Sequence, residues 1–444
     1  MHVPSPARPP LPAIRPSACP GLLRIVQALD GGICRIKLPG GVLQADQAEA
    51  LAQAGETYAS GVIEVTNRAN LQIRGIQGAL AALIEALLSA GLGPREAAAD
   101  DVRNLMLSPA AGIDRQQLLD VRPLAAQILA SLEHEPRFHA LSAKFAVQLD
   151  GGEALAMLEH HHDLWLSPAW IEDQLWMAFG LAGCPGQQSP QGAVPVGQAH
   201  ALVIAVLDGF LRQASPAQQR MRDLFTGDEA ATTYTRQRFI DSLGLAVRPL
   251  AWLRAPAEQP AVGVYPQRQP GRFQVAALAP LGRLTAGQLR GAAQLARSLG
   301  DGTLRMTPWQ GLLLPNIETA DTEAALAGLA ALGLLTDNAR PLARLIACTG
   351  AAGCAKGLAD TKSDALQLAA LLEVPEAVHL SGCARSCAAA HVAPATLLAV
   401  AGGRYDLYLR DAASPGLGTL RASHLTVQEA GALLNARSRS NTHD

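Results

Sequence analysis

Sliding the chain along itself by 241 positions superimposes residues that punctuate structure rather than residues that are merely common. Pro39 meets Pro280, Gly41 meets Gly282, Leu43 meets Leu284, Gln47 meets Gln288 and Gly61 meets Gly302. Thr66 and Thr307, Leu71 and Leu312, Ile76 and Ile317, Arg103 and Arg344, and Gly112 and Gly353 continue the register without a gap. An Ala- and Leu-rich chain produces scattered Ala coincidences by chance, whereas Gly and Pro are placed by backbone conformation. The chain is therefore a duplication. Its fold must carry pseudo-two-fold symmetry, with a site expected where the two units meet.

Within one unit the residues alternate as strands and helices do. Ile33 to Leu38 predicts a strand ending in a Pro-Gly-Gly turn, a helical stretch follows, and Val62 to Thr66 and Leu71 to Ile73 predict two more strands. Leu80, Leu83, Ile84, Leu87 and Leu88 then recur at helical spacing, which completes the order of a ferredoxin-like half. Later, His162-Asp163-Leu164-Trp165-Leu166 echoes Tyr405-Asp406-Leu407-Tyr408-Leu409, and both read as half-buried strands. The Gly/Gln/Pro-rich run 185–199 and the polar helical stretch 215–242 read as a connector.

A formal charge of -2 leaves no positive surplus for a nucleic-acid backbone or an anionic membrane, so a cationic site has to be a local pocket. The opening residues lack a signal-peptide core and no apolar run reaches the ~20 residues of a membrane span, so a soluble, cytoplasmic protein is expected. No G-x-G-x-x-G opens a helix after a strand, so electrons for any redox chemistry would come from an external donor.

Seven cysteines are too few for a disulfide framework in 444 residues, and four of them crowd together as Cys348-x5-Cys354 and Cys383-x3-Cys387. Four thiolates suit a 4Fe-4S cube, one for each iron. A structural zinc site and four buried cysteines are the alternatives, though zinc pairs usually enclose two to four residues. Gly350, Gly353 and Gly382 would let the backbone approach a cluster. The same offset puts Leu107 and Ile113 opposite the first cysteine pair, so one unit alone carries these thiols. Cys19, Cys34 and Cys184 stand apart as ordinary thiols.

The run Ala347-Cys348-Thr349-Gly350-x3-Cys354 followed by Cys383-x3-Cys387 resembles the cluster motif of the sirohaem-dependent sulfite and nitrite reductases, with likeness from about residue 19 to 410. The resemblance implies an α+β fold with two ferredoxin-like halves and two nitrite/sulfite reductase α/β domains. The boundaries expected are a Pro-rich disordered tail 1–18, a first half 19–92, a cluster-free α/β domain 93–184, a partly helical connector 185–260, a second half 261–338 and a cluster-bearing domain 339–435. It also implies that Cys387 lies nearest the reacting centre, where it would bridge to a sirohaem iron in the reductases. Thr66, Asn67, Arg68, Gln72 and Gln310 resemble tetrapyrrole-contacting positions, and Arg35, Arg103 and Lys144 stand where the reductases place cations over the substrate. Arg and Lys clustered in this way suit a macrocycle bearing many carboxylates, and Arg35, Arg68, Arg103 and Lys144 are expected to face one cavity within reach of Cys387.

Three departures bear on which branch this is. Lys144-Phe145-Ala146 lacks the reductases' second lysine, Ala384-Arg385-Ser386 replaces the usual Pro and Asn between the second cysteines, and Glu64 replaces a ring-binding arginine. Lost cationic charge weakens stabilisation of a six-electron reduction of sulfite or nitrite. In length and in its alanine-rich cluster region the chain is similar to the precorrin-3B synthases of aerobic cobalamin biosynthesis. That likeness implies precorrin-3A in the sirohaem position, O2-dependent hydroxylation at C-20 with lactone formation, and a mononuclear non-haem iron; a sirohaem reductase is the alternative. His160, His161, His162 and Asp163 carry suitable iron donors. Strand alternation allows only His160 with His162, or His161 with Asp163, on one face. The matching strand has no histidines, so solvent-facing imidazoles on a structural strand are expected.

Overall fold

The computed structural model describes residues 19–256, 261–389, 391–411, 414 and 416–441, so the tail expected at 1–18 lies outside the described residues. The first half runs β1 (Val26–Ala28), β2 (Gly31–Ile36), β3 (Val42–Gln44), α1 (Ala45–Tyr58), β4 (Val62–Val65), β5 (Leu71–Ile76) and α2 (Leu80–Ser89). A first α/β domain follows, with β6 (Leu105–Leu107), α3 (Arg122–His134), β7 (Val147–Leu149), β8 (His162–Ile171), β9 (Gln174–Gly183), β10 (Gly192–Pro195) and α4 (Ala199–Gln213). After α5 (Glu229–Asp241) the second half repeats the first as β11 (Gly263–Pro266), β12 (Arg272–Leu278), β13 (Arg283–Thr285), α6 (Ala286–Leu299), β14 (Thr303–Thr307), β15 (Gly311–Glu318) and α7 (Thr322–Ala331). The chain ends in β16 (Leu345–Ala347), α8 (Thr361–Leu371), β17 (Val378–Ser381), β18 (Ala395–Ala401), β19 (Arg404–Leu409), β20 (Thr419–Leu425) and α9 (Val427–Asn441).

The two halves exchange a strand. The first antiparallel sheet has the order β1-β2-β5-β4-β13 and the second β11-β12-β15-β14-β3, so each borrows a three-residue strand from the other unit. The registers are related by the same 241-residue offset: Arg283 pairs with Glu64 in one sheet and Val42 with Arg305 in the other. Each exchanged strand leads straight into a long helix. In α6 the Thr285 hydroxyl accepts from the Gln288 amide at 3.1 Å while the Gln288 side chain accepts from the Thr285 amide at 2.8 Å, a reciprocal cap that fixes the strand-to-helix turn. With strands shared and α1 against α6, apolar residues from both halves, Leu51, Ile63 and Leu71 with Leu289, Leu304 and Leu312, form one continuous core.

The two α/β domains have identical strand orders, β6-β7-β8-β9-β10 and β16-β17-β18-β19-β20, with the first three strands of each parallel and the last two antiparallel. α3 packs on α4 and α8 on α9. This corrects two expectations. β8 is the topological partner of β18, not of the Tyr405 strand β19, and His162 through Ala169 are buried throughout because β8 is the middle strand of its sheet. The run expected as a connector contains β10, which pairs with β9, and α4, whose Leu202, Val203, Val206 and Phe210 enter the core of the first α/β domain. Its Gly/Gln/Pro content marks a turn into an edge strand rather than a boundary. No helix among the described residues is long and apolar enough to cross a membrane.

Candidate iron-sulfur and anion site

β16 and β17 are parallel neighbours, and the cysteine loops leave their C-terminal ends, where open sheets with parallel strands place ligands. Cys348 follows Ala347 at the end of β16, and Cys383 stands two residues beyond Ser381 at the end of β17. The loops are tied together by backbone. Leu358 N–H donates to the Gly382 carbonyl at 2.9 Å, and Gly382 N–H donates to the Cys348 sulfur at 3.1 Å. Gly350 has φ +66°, and a Cβ there would lie 2.5 Å from the Ala359 carbonyl oxygen; at Gly357, a glycine the sequence reading passed over, it would lie 2.5 Å from the Gly350 carbonyl carbon. All four cysteines are unpaired thiols. The Cys387 thiol is pushed up by desolvation and then by the charges of Cys383, Cys348 and Cys354, which places all four in one electrostatic neighbourhood. No three His, Cys, Asp or Glu among the described residues are set to hold a single metal ion. A donor set of four gathered thiols, with a backbone amide aimed at one sulfur, fits a multi-iron cluster, whose ligands stand farther apart than those of one ion.

The first half closes over this site. Asn67, in the turn between β4 and β5, donates its side-chain amide to the carbonyls of Cys387 at 3.3 Å and Ala388 at 3.1 Å. The Thr66 hydroxyl shapes that turn by accepting from the amides of Arg68 at 3.3 Å and Asn70 at 3.1 Å. Arg35 on β2 stands opposite Gln72 on β5 and donates to it at 3.4 Å, while its buried Nε has no partner. Burial lowers the Arg35 pKa against the opposing charges of Cys19, Cys387 and Glu64. Arg68 is pushed down to about 10 by burial and then by Arg220, with Arg35 adding to the repulsion. Two crowded guanidiniums, one with an orphan donor, fit an anionic group.

The other expected cations are placed differently. Arg103 is 8% exposed and ion-paired to Glu133 of α3 at 2.8 Å, so its charge is already answered. Lys144 is exposed and forms no ion pair among the described residues. Gln310 lines a cleft of about 470 Å³ with Asn67, His160, Trp309 and His391, and Arg35, Arg68, Arg103 and Lys144 are not among the residues lining this cleft. Lys37 was missed: it is 3% exposed, lies near Arg35 and Arg103, donates to the Asp101 carbonyl at 2.6 Å and is pushed down to about 8 by burial. The Arg35-x-Lys37 spacing on one strand face was its available signal.

The histidine run is also corrected. His160 and His162 are each 2% exposed, not solvent-facing. Burial, then His391 for His160 and Arg68 for His162, holds both well below the ordinary imidazole range. His162 Nδ1 is hydrogen-bonded to the His160 carbonyl at 2.8 Å. Asp163 is saturated by the amides of Ala146 at 2.9 Å and Met221 at 2.7 Å and by Arg220 at 2.9 Å. Neither expected pair is therefore arranged as an iron ligand set.

Glu64 shows how far its role departs from that of a ring-binding arginine. It is 8% exposed and meets Arg283 at 3.0 Å, Arg74 at 3.6 Å, Lys362 at 3.9 Å and the Thr349 hydroxyl at 3.5 Å. Arg74 also pairs with Asp30 at 2.9 Å and donates to the Gly353 carbonyl at 3.3 Å, gripping the first cysteine loop.

Known families match large parts of this chain. Residues 26–90 and 265–332 match the nitrite/sulfite reductase ferredoxin-like half domain, and residues 98–226 match the nitrite and sulphite reductase 4Fe-4S domain. The chain belongs to the nitrite and sulfite reductase family. The 4Fe-4S match falls on the α/β copy without the cysteine cluster; the copy that carries it has the same strand order. The chain is 30% identical over 388 residues to a ferredoxin–nitrite reductase of Synechococcus elongatus, covering 82% of this chain and 76% of that protein. It is 31% identical over 391 residues to the chloroplastic ferredoxin–nitrite reductase of Arabidopsis thaliana, covering 81% and 66%. A precorrin-3B synthase of Sinorhizobium sp. is 26% identical over 415 residues, covering 90% and 84%. In fold, the chain is similar to the NirA protein of Mycobacterium tuberculosis, with TM-score 0.73, 23% identity and 92% and 80% of the two chains covered.

Proposed function

We propose that this oxidoreductase is a precorrin-3B synthase, hydroxylating precorrin-3A at the expense of O2. One oxygen atom enters the macrocycle, the other leaves as water, and an external reductant supplies the balancing electrons. The observation that carries the reading is the state of position 146. Ala146 is 2% exposed, and its amide is bound to Asp163, whose carboxylate is already claimed by Arg220. The place of the reductases' second substrate lysine is thus a neutral, packed position. A reductase accumulating negative charge on a small anion depends on such cations; a large polycarboxylate depends on spaced guanidiniums at its rim.

In this reading Cys348, Cys354, Cys383 and Cys387 hold the 4Fe-4S cluster, which supplies single-electron transfer when bound. Arg35 and Arg68 take substrate carboxylates, Thr66, Asn67 and Gln72 hold them in place, and Gln310 contacts the ring from the second half. Lys144 is assigned to the reacting face, and Arg103, whose charge Glu133 already meets, is assigned a supporting place beside it. A sirohaem-dependent nitrite reductase is the second reading, favoured by the 30% identity to the Synechococcus protein, and its donor would be a ferredoxin. Anaerobic purification followed by turnover under isotope-labelled O2 separates the two. Label in a tetrapyrrole product supports the synthase; bound sirohaem with nitrite or sulfite reduction and no label overturns it. Installing Ala146→Lys should raise affinity for nitrite or sulfite, and unchanged affinity would remove position 146 from the argument.

A further inference from the structure

Lys362 lies in α8, apart from the residues assigned to substrate and to the cluster, yet its ammonium joins three parts of the molecule. It is 7% exposed and donates to the Leu281 carbonyl of the second half at 2.5 Å and to the Ala347 carbonyl, immediately before Cys348, at 3.2 Å. Glu64 of the first half stands 3.9 Å away. Its neighbour Thr361 donates to the Cys348 carbonyl at 2.8 Å, so the start of α8 is bonded to the start of the first cysteine loop twice. Leu281 itself has φ +51°, a left-handed conformation unusual for a leucine; the 241-residue offset puts Gly40, with φ +71°, in its place in the other unit. A strained carbonyl aimed at a buried ammonium is a built arrangement rather than a chance approach.

The charges in this knot do not cancel. Arg74, Arg283 and Lys362 surround the single carboxylate of Glu64, with Asp30 answering Arg74 alone. The duplicated position lacks the arrangement: Arg305 replaces Glu64 and faces Val42 across the strands. Beside the first cysteine loop three cations thus face two carboxylates, whereas the matching Arg305 is spent on the backbone carbonyls of Pro109 and Ala111. The potential of an iron-sulfur centre responds to nearby net charge, and a buried charge is screened little by water.

We propose that Lys362 is a positioning residue that raises the reduction potential of the iron-sulfur centre, with Glu64 as the counter-charge that limits the effect. The proposal rests on the assignment of the four cysteines as cluster ligands and is independent of which substrate the protein takes. The test is an EPR-monitored redox titration of the full chain with its cluster assembled, with iron and sulfide measured first. Lys362→Met should lower the midpoint so that, at fixed solution potential, the reduced-to-oxidised ratio falls about tenfold, which is 59 mV for a one-electron couple. Lys362→Arg should recover most of the shift, and Glu64→Gln should move the midpoint upward. A fully loaded Lys362→Met with the midpoint of the unmodified protein overturns the proposal. Should Lys362→Met fail to assemble a cluster, Glu64→Gln decides: an upward shift supports the proposal, and an unchanged or lowered midpoint overturns it. Failure of the unmodified protein to assemble any cluster would instead overturn the ligand assignment, and this proposal with it.

Discussion

The two α/β domains share strand order, strand direction and helix placement, and differ in what leaves their parallel strands. Beyond β16 and β17 come glycine-rich loops bearing four thiols. At the matching places the first domain has Leu107, the last residue of β6, and Ile113 beyond it, 6% and 3% exposed, each packed in an apolar cluster. The ferredoxin-like halves treat these loops in opposite ways. Arg305 binds the cluster-free loop through the carbonyls of Pro109 at 2.9 Å and Ala111 at 2.8 Å, whereas Glu64 accepts from Thr349 of the cysteine loop at 3.5 Å and otherwise reaches that loop through Arg74 and Lys362. One scaffold thus supports a packed loop or a chemical one, and the exchanged strands β3 and β13 bring a different partner to each.

The sharpest break of this comparison is at the thiols. Replacing any of Cys348, Cys354, Cys383 or Cys387 by Ser should abolish assembled iron, with loss of its visible absorbance and a lower unfolding temperature, since ligation and folding are linked. Leu107→Ala at the matching position should cost roughly 2–5 kcal/mol as a core truncation while iron content stays unchanged. Equal iron loss in both variants would erase the distinction between the units.

Next in size is the Asp163 knot of the first domain. Asp163→Ala strands Arg220 and two amides in the interior and should cost about 3–5 kcal/mol, read from the urea midpoint of that domain. An effect below about 1 kcal/mol would show the carboxylate to be a surface-like ion pair.

Acid should weaken both domains through their buried histidines. Burial, then His391, lowers His379 from 6.5 to about 4, so the unfolded chain takes up its proton first as pH falls. The stability contributed by keeping this ring neutral is complete above pH 6.5 and lost progressively down to pH 4, on the order of 3 kcal/mol. His160 and His162 act in the same direction in the first domain. His379→Gln should flatten the acid limb of a stability–pH profile, and an unchanged slope would contradict the burial argument.

The smallest expected effect compares Gly40 with Leu281. Gly40→Ala introduces a side chain at φ +71° where the nearest atoms are 3.7 Å away, so the cost is conformational, about 1 kcal/mol by thermal unfolding. A neutral result would mean that the left-handed turn is equally available without glycine, and Leu281 would cease to be evidence of strain.

Much of this was written locally. Repetition of Gly and Pro at one offset specified the duplication, because those residues answer to backbone conformation whatever surrounds them. The two cysteine pairs stood out by their spacing, and the strands of the first half appeared close to their expected limits because alternation of apolar residues is a property of a few consecutive positions. The connector was misread because turn-forming residues mark an edge strand as readily as a boundary. The histidine run was misread because its echo was matched by sequence to β19 when the sheet pairs it topologically with β18.

What only the tertiary structure decided is partnership. Nothing in the residues around Glu64 states that Arg283, Arg74 and Lys362 will surround it, nor in those around Arg103 that Glu133 will neutralise it. Burial of a face is set by local pattern, but the charge that meets a buried carboxylate depends on which distant strand docks beside it. For Glu64 and Arg283 the exchange of β13 between halves makes that choice, and the partner lies more than two hundred residues away along the sequence.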